Sequence, residues 1–241
     1  GRGRRVMARV ISFASGKGGT GKTMVVANLG VCLARRGKKV VVLDADLTMA
    51  NLGLLFGLEE RFTLHDVLAG KAEVEEALHE VMPKLEVVQG GLSLKDIGQI
   101  RLDRLKGVVG KLSRRADYVL VDCPSGFEED FVAALTVSSQ VVLVVNPDPL
   151  SVAEAMKVKR MATKLHVGLL GMVVNRVVGK DADLPLKEIE TLLELPLLGA
   201  IPEDEEVAKS LASGKPLVLQ DPRSPASKAM EKIAEVLLRR K

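Results

Sequence analysis

The segment Ser15-Gly-Lys-Gly-Gly-Thr-Gly-Lys-Thr23 holds four glycines, two lysines and two hydroxyl-bearing threonines within nine residues. From Gly16 to Thr23 it fits the pattern G-x-x-x-x-G-K-[ST]. Gly16, Gly18, Gly19 and Gly21 allow successive backbone N–H groups to converge on one anion without Cβ clashes. A helix starting at the end of the loop adds the partial positive charge of its N-terminus. Lys22 then reaches the β- and γ-phosphates of a nucleotide, and the Thr23 hydroxyl reaches Mg²⁺. Lys17, Thr20 and Met24 complete the nucleotide-binding stretch Gly16–Met24. Three further carboxylates stand where short apolar runs end: Asp44, closing "KVVVLD", Asp46 just beyond it, and Asp122, closing "DYVLVD". Asp122 at a strand end suits Mg²⁺ held through water, because Mg²⁺ dehydrates reluctantly. Asp44 suits the same outer-shell task. As a pair, Asp44 and Asp46 also read as ordinary turn chemistry at a strand end.

The phosphate motif is credible only between a strand and a helix, and the sequence supplies both. "RVISFAS" reads as a strand, and "TMVVANLGVCLARRG" as a helix closing at Gly37. "KVVVLD", "LEVVQG", "DYVLVD", "QVVLVVN", "VGLLGMVVNRV" and "LLGAIP" read as further strands. "NLGLLFGL" reads as a short apolar turn, and "TLHDVLAG" and "AEVEEALHEV" as small helices. "LDRLKGVVGKLSRR", "FVAALTVSS", "SVAEAMKVKRMATKL", "PLKEIETLLE", opened by Pro185, and "EEVAKSLASG" read as helices. "SPASKAMEKIAEVLLRRK" is a closing helix with Ser224 as N-cap and Pro225 in its first turn. Alternating strands and helices predict an α/β fold: a mostly parallel, twisted sheet with helices on both faces, in one domain over residues 7–241. Residues 1–6 are read as a leftover or an extension upstream of it.

"KGGTGKT", with its extra lysine, resembles the deviant Walker A motif of the MinD/ParA ATPases. "LDADLTMANL" is similar to that family's switch I, with Asp44, Asp46 and Asn51, and "VLVDCPSGFE" to its switch II, with Asp122, Pro124 and Gly126. "VVNRV" and "IPEDEEV" resemble its base-binding segments, and "VVNPDPLSVAEAMKV" looks closest to archaeal MinD-type proteins. The motifs keep the family's order from Met7 onward. The resemblance implies a P-loop ATPase that binds ATP or ADP with Mg²⁺ and forms an ATP-dependent homodimer. In it, Lys17 reaches the partner's nucleotide, Asp46 positions the attacking water, and Gly126 lets switch II move. Asn175, Arg176, Pro202 and Glu203 are implied at the adenine. Where the family often has a second Thr after Thr23, this chain has Met24, so one hydroxyl contact to phosphate is lost and the backbone N–H remains.

Composition narrows the partners. Aromatics are 2% of the 241 residues, too few to build stacking platforms for single-stranded nucleic acid. A net charge of +4 permits DNA or an anionic membrane and demands neither. Lys157, Lys159, Arg160 and Lys164, with the terminal "RRK", are the basic residues that a ParA-like DNA role would use; a solvated helix face is the alternative. Ala226, Met230, Ile233, Ala234 and Leu237 follow a helical period and are expected to pack on the sheet, leaving no clear amphipathic membrane anchor. Cys32 and Cys123 are too far apart in sequence for the CxxC of a cluster carrier. With no apolar run of membrane-spanning length, the cytoplasm is the expected location, with the inner face of the cell membrane as a peripheral one. Two functions stay open: a hydrolysing switch for spatial positioning, of the division site or another cargo, and a nucleotide-regulated binding module of low turnover in flagellar, chemosensory or DNA positioning.

Overall fold

The computed structural model describes residues 6–47, 50–59, 61–91, 100–179 and 181–240. The upstream stretch as far as residue 5, Thr48 and Met49 of the switch I-like segment, and Lys241 lie outside the described residues. The chain runs β1 (Arg9–Ala14), α1 (Lys22–Arg35), β2 (Val40–Asp44), α2 (Leu52–Leu55), α3 (Leu64–Leu68), α4 (Val74–Ala77), β3 (Leu78–Met82) and β4 (Leu85–Val88). A 3₁₀ turn, Leu102–Arg104, leads into α5 (Leu105–Ser113), followed by β5 (Tyr118–Asp122), α6 (Glu129–Thr136), β6 (Gln140–Val145) and α7 (Pro149–Lys164). The last part comprises β7 (Gly168–Val177), α8 (Leu186–Leu193), β8 (Leu197–Pro202), α9 (Glu206–Ser213), α10 (Leu217–Gln220) and α11 (Pro225–Arg239).

The strands form one eight-stranded sheet in the order β3-β4-β2-β5-β1-β6-β7-β8. Every pairing is parallel except β3 with β4. The apolar runs are explained by double burial. In β2, Val41 and Leu43 join the core beneath α3–α8, while Val40 and Val42 join the opposite core beneath α1, α2, α10 and α11. The same alternation sends Val119 and Val121 of β5 one way and Tyr118 and Leu120 the other. A central parallel strand thus reads as continuously hydrophobic although its side chains still alternate.

Two sequence expectations are corrected here. "AEVEEALHEV" is helical only through Ala77; from Leu78 it becomes β3, an antiparallel edge strand that leads into β4 through a tight turn with Lys84 at φ 69°. Pairing with β4 overrides the local helical propensity of Glu, Ala and Leu. "NLGLLFGL" is not merely a turn: Leu52–Leu55 form α2, whose Leu52 and Leu55 are buried against α1. The closing helix matches its sequence. The Ser224 hydroxyl accepts from the Ser227 N–H at 3.1 Å, Pro225 occupies the first turn, and Ala226, Met230, Ile233, Ala234 and Leu237 are fully buried. No helix among the described residues is long and apolar enough to cross a membrane.

Candidate functional site: a glycine-rich loop between β1 and α1

Because the central strands are parallel, the segments leaving β1, β2, β5, β6 and β7 all emerge at one edge of the sheet. Register then sets the neighbours: Asp44 and Asp122 are Cα partners at the ends of β2 and β5, and Phe13 pairs with Asp122 from the β1 side. The Gly-rich loop follows β1 and delivers Lys22 and Thr23 at the start of α1, beside those carboxylates.

The loop needs glycine at Gly16 and Gly21. A Cβ at Gly16 would meet the backbone O of Glu154, on α7, at 2.6 Å. Gly21 has φ 83°, and a Cβ there would lie 2.3 Å from the Asn175 side-chain amide. Gly21 also stands at the N-cap of α1, so the N–H groups of Lys22, Thr23 and Met24 are the first-turn donors that an α-helix leaves without intrahelical partners. Gly18 and Gly19 are exposed, Lys17 and Gly16 half-buried, and Thr20 and Lys22 buried.

At the base of the loop, the Lys22 ammonium pairs with Asp122 Oδ1 and donates to the Cys123 carbonyl. The Thr23 hydroxyl donates to the other Asp122 oxygen at 2.7 Å. Burial pulls the Lys22 pKa down, but the charge of Asp122 and its hydrogen bond outweigh that and leave it raised. Asp44 is 1% exposed. Burial first, and the neighbouring Asp122 charge second, push its carboxyl up to about 8, against N–H donation from Asp46 at 3.0 Å and Leu52 at 3.3 Å. Asp46 is half-buried; Asn51 is exposed at the N-cap of α2, Pro124 is buried, and Gly126 has φ 88°.

The base-side residues are brought together by the pairing of β7 with β8: Val177 and Pro202 are register partners, and the Glu203 N–H donates to the Val177 carbonyl at 3.0 Å. Asn175 is 2% exposed, and its side-chain amide donates to the Thr20 carbonyl at 2.9 Å, so it braces the phosphate loop itself. Arg176, exposed and at φ 62°, donates to the Gly19 carbonyl. The Met24 side chain is buried in the apolar layer under α1. Sequence reasoning missed Asn146, at the end of β6, whose amide donates to the Thr20 carbonyl at 3.1 Å. The available signal was an Asn closing β6 just as Asn175 lies near the end of β7. It also missed Asp130, half-buried, whose carboxyl is raised by burial and, after opposition from the Phe131 N–H, by the charge of Asp46.

The donor set fits a magnesium-bound phosphate chain. Backbone N–H groups and Lys22 suit phosphate oxygens, while Thr23, Asp122 and Asp44 offer the hard oxygens that Mg²⁺ prefers. The Thr20 hydroxyl is buried and has no hydrogen-bond partner among the described residues. Such a loop between a strand and a helix of a doubly covered parallel sheet defines a P-loop nucleotide-binding protein.

Comparison narrows the class. The model of the CobQ/CobB/MinD/ParA nucleotide binding domain matches residues 11–217, and the chain belongs to that family. An ATP-binding protein of Methanocaldococcus jannaschii is 42% identical over 234 residues, covering 97% of this chain and 89% of that protein. The crystal structure of the Pyrococcus furiosus cell division ATPase MinD superposes with a TM-score of 0.93 at 40% identity, covering 97% of this chain and 99% of that one. The septum site-determining protein MinD of Pyrococcus horikoshii, solved with Mg-ADP, superposes with a TM-score of 0.91 at 36% identity over 96% of both chains.

Proposed function

We propose that this chain is an ATP-dependent dimerising switch that hydrolyses ATP slowly to control the position of a cellular cargo, such as the division site. The observation that carries the reading is the division of labour between two lysines. Lys22 is buried at the base of the loop on Asp122, whereas Lys17 is half-buried at its rim and its ammonium has no ion pair among the described residues. A second cation at the rim suits a nucleotide presented by another copy of the chain. There it screens the repulsion between two facing triphosphates and stabilises charge in the transition state. Exposed Leu54, Leu150 and Val178 lie in segments leaving the same sheet edge and supply apolar surface for that contact.

In this reading Lys22 moves from Asp122 to the β- and γ-phosphates, and Thr23, Asp44 and Asp122 hold Mg²⁺, directly or through water. Mg²⁺ supplies charge neutralisation on the phosphates. Asp46 orients the attacking water, and Gly126 carries the backbone change of switch II; Asn51 and Pro124 frame the two switches. Asn175, Arg176, Pro202 and Glu203 border the base. Phosphoryl transfer of this kind needs positioning and electrostatics more than covalent help. Action in the cytoplasm, with recruitment of a further protein by the dimer, completes the proposal.

The basic face of α7 gives the DNA-binding alternative less support than its sequence suggested. Lys157 pairs with Glu154, and Lys159 is held by the Leu193 carbonyl and Glu194, which leaves Arg160 and Lys164 without ion pairs among the described residues. The test is phosphate release together with mass by light scattering, for wild type and Asp46→Ala with Mg²⁺-ATP. Wild type should turn over slowly, and Asp46→Ala should keep ATP, slow hydrolysis and accumulate dimer. Turnover at the wild-type rate in Asp46→Ala reduces Asp46 to a structural carboxylate, and monomers throughout contradict the switch.

A further inference from the structure

Asn146 stands immediately after β6 and is 7% exposed. Its position is fixed from behind: its backbone N–H donates to the Ser151 hydroxyl at 2.9 Å, and the Ser151 N–H donates to the N-capping carboxylate of Asp148 at 2.8 Å. The side-chain amide has two protons, and both are used. One goes to the Thr20 carbonyl at 3.1 Å, in the phosphate loop; the other goes to the Asn175 carbonyl at 3.2 Å, in the base-side segment. Asn175 answers with its own amide on the Thr20 carbonyl at 2.9 Å, so that oxygen accepts from two side chains.

This arrangement has a directional consequence. A trans peptide places its N–H opposite its C=O. Holding the Thr20 carbonyl toward Asn146 and Asn175 therefore turns the Gly21 N–H the other way. The donation of Arg176 to the Gly19 carbonyl does the same for the Thr20 N–H. The loop's donors are thus aimed by bonds made to the carbonyls behind them. The Asn175 carbonyl that Asn146 holds belongs to the peptide leading into Arg176, which sits at φ 62° and needs that constraint.

We infer that Asn146 is a positioning residue that ties the phosphate loop to the base-side segment through the Thr20 and Asn175 carbonyls, so that affinity for the phosphates and affinity for the base depend on one side chain. The inference rests on the nucleotide reading of the site. It assigns Asn146 no contact with nucleotide.

The experiment is binding of Mg²⁺-ADP by calorimetry, and of pyrophosphate by competition against a fluorescent ADP analogue, to wild type and Asn146→Ala. Melting without nucleotide serves as the folding control. Removing two donors and leaving one carbonyl unpaired should weaken ADP about 10- to 100-fold, and pyrophosphate by several-fold less than ADP, because only ADP engages both arms. In Asn146→Ala/Asn175→Ala the loss should exceed the sum of the single losses, since either amide alone still pairs the Thr20 carbonyl and only the double variant strips it of both. Asn146→Leu keeps the branched shape, removes both donors and replaces Asn146→Ala if that variant does not fold. A folded variant that binds ADP as wild type does overturns the inference, and equal losses for ADP and pyrophosphate overturn the link to the base side. If wild type itself fails to bind ADP, the nucleotide reading falls first, which is a separate result.

Discussion

Lys22 and Asp122 form a buried ion pair between residues 100 positions apart, with side chains 8% and 2% exposed. The pair joins the start of α1 to the end of β5, and Thr23 adds a second bond to the same carboxylate. The groups that the motif assigns to phosphate and to Mg²⁺ are therefore held by one acceptor. A bound Mg²⁺–nucleotide offers each of them a charged partner in exchange.

Removing the lysine tests both roles. Lys22→Ala leaves Asp122 buried without its counter-charge, which costs about 3–5 kcal/mol where a buried pair is broken on one side. Urea unfolding without nucleotide should show that loss, and the rise in melting temperature on adding Mg²⁺-ADP should vanish. A variant that still gains wild-type stabilisation from ADP contradicts the phosphate-loop assignment.

The Thr20 hydroxyl is buried and has no hydrogen-bond partner among the described residues. Thr20→Val replaces it with a methyl group of the same shape and leaves intact the Thr20 carbonyl on which Asn146 and Asn175 act. Stability should be unchanged or higher by about 1 kcal/mol, because an unpaired buried hydroxyl costs that much or more. ADP affinity should stay within a few-fold. A clear loss of ADP affinity in this variant shows that the hydroxyl binds the ligand.

The closing helix is a structural element in this account. Ile233 is fully buried against Gly199 of β8, where a Cβ would lie 2.4 Å from the Ile233 side chain. Ile233→Ala should cost about 2–5 kcal/mol through lost burial and the cavity it leaves. Urea unfolding measures it. A cost below about 1 kcal/mol would mean that α11 is loosely docked, leaving its apolar stripe available for another surface.

Much of this was legible in the sequence because strong local signals coincided. The glycine loop, the apolar run into Asp122 and the Ser224-Pro225 cap each have a single favoured local structure, and all agree with a parallel α/β sheet. The edge strand β3 was not legible: residues Leu78–Met82 have no period-two pattern of burial, and only pairing with β4 makes them a strand. The site was half legible. Lys22, Thr23, Asp44 and Asp122 follow from motif and strand ends, and the register brings the two carboxylates together. Asn146 escaped because its role depends on the loop of a neighbouring strand, 126 positions away in sequence. Asn175 was placed at the base from its segment alone, whereas its amide acts on the phosphate loop.

The central claim is that Lys17 acts across an interface between two copies of the chain. It is tested most directly by light scattering on Asp46→Ala and on Lys17→Ala/Asp46→Ala, each with Mg²⁺-ATP and with Mg²⁺-ADP. The hydrolysis-slow background removes depletion of ATP as a cause. Asp46→Ala should give the mass of a dimer with ATP and of a monomer with ADP. The double variant should bind ADP within a few-fold of its parent and remain a monomer with ATP. A double variant that dimerises on ATP as its parent does would make Lys17 an ordinary surface charge and contradict the account.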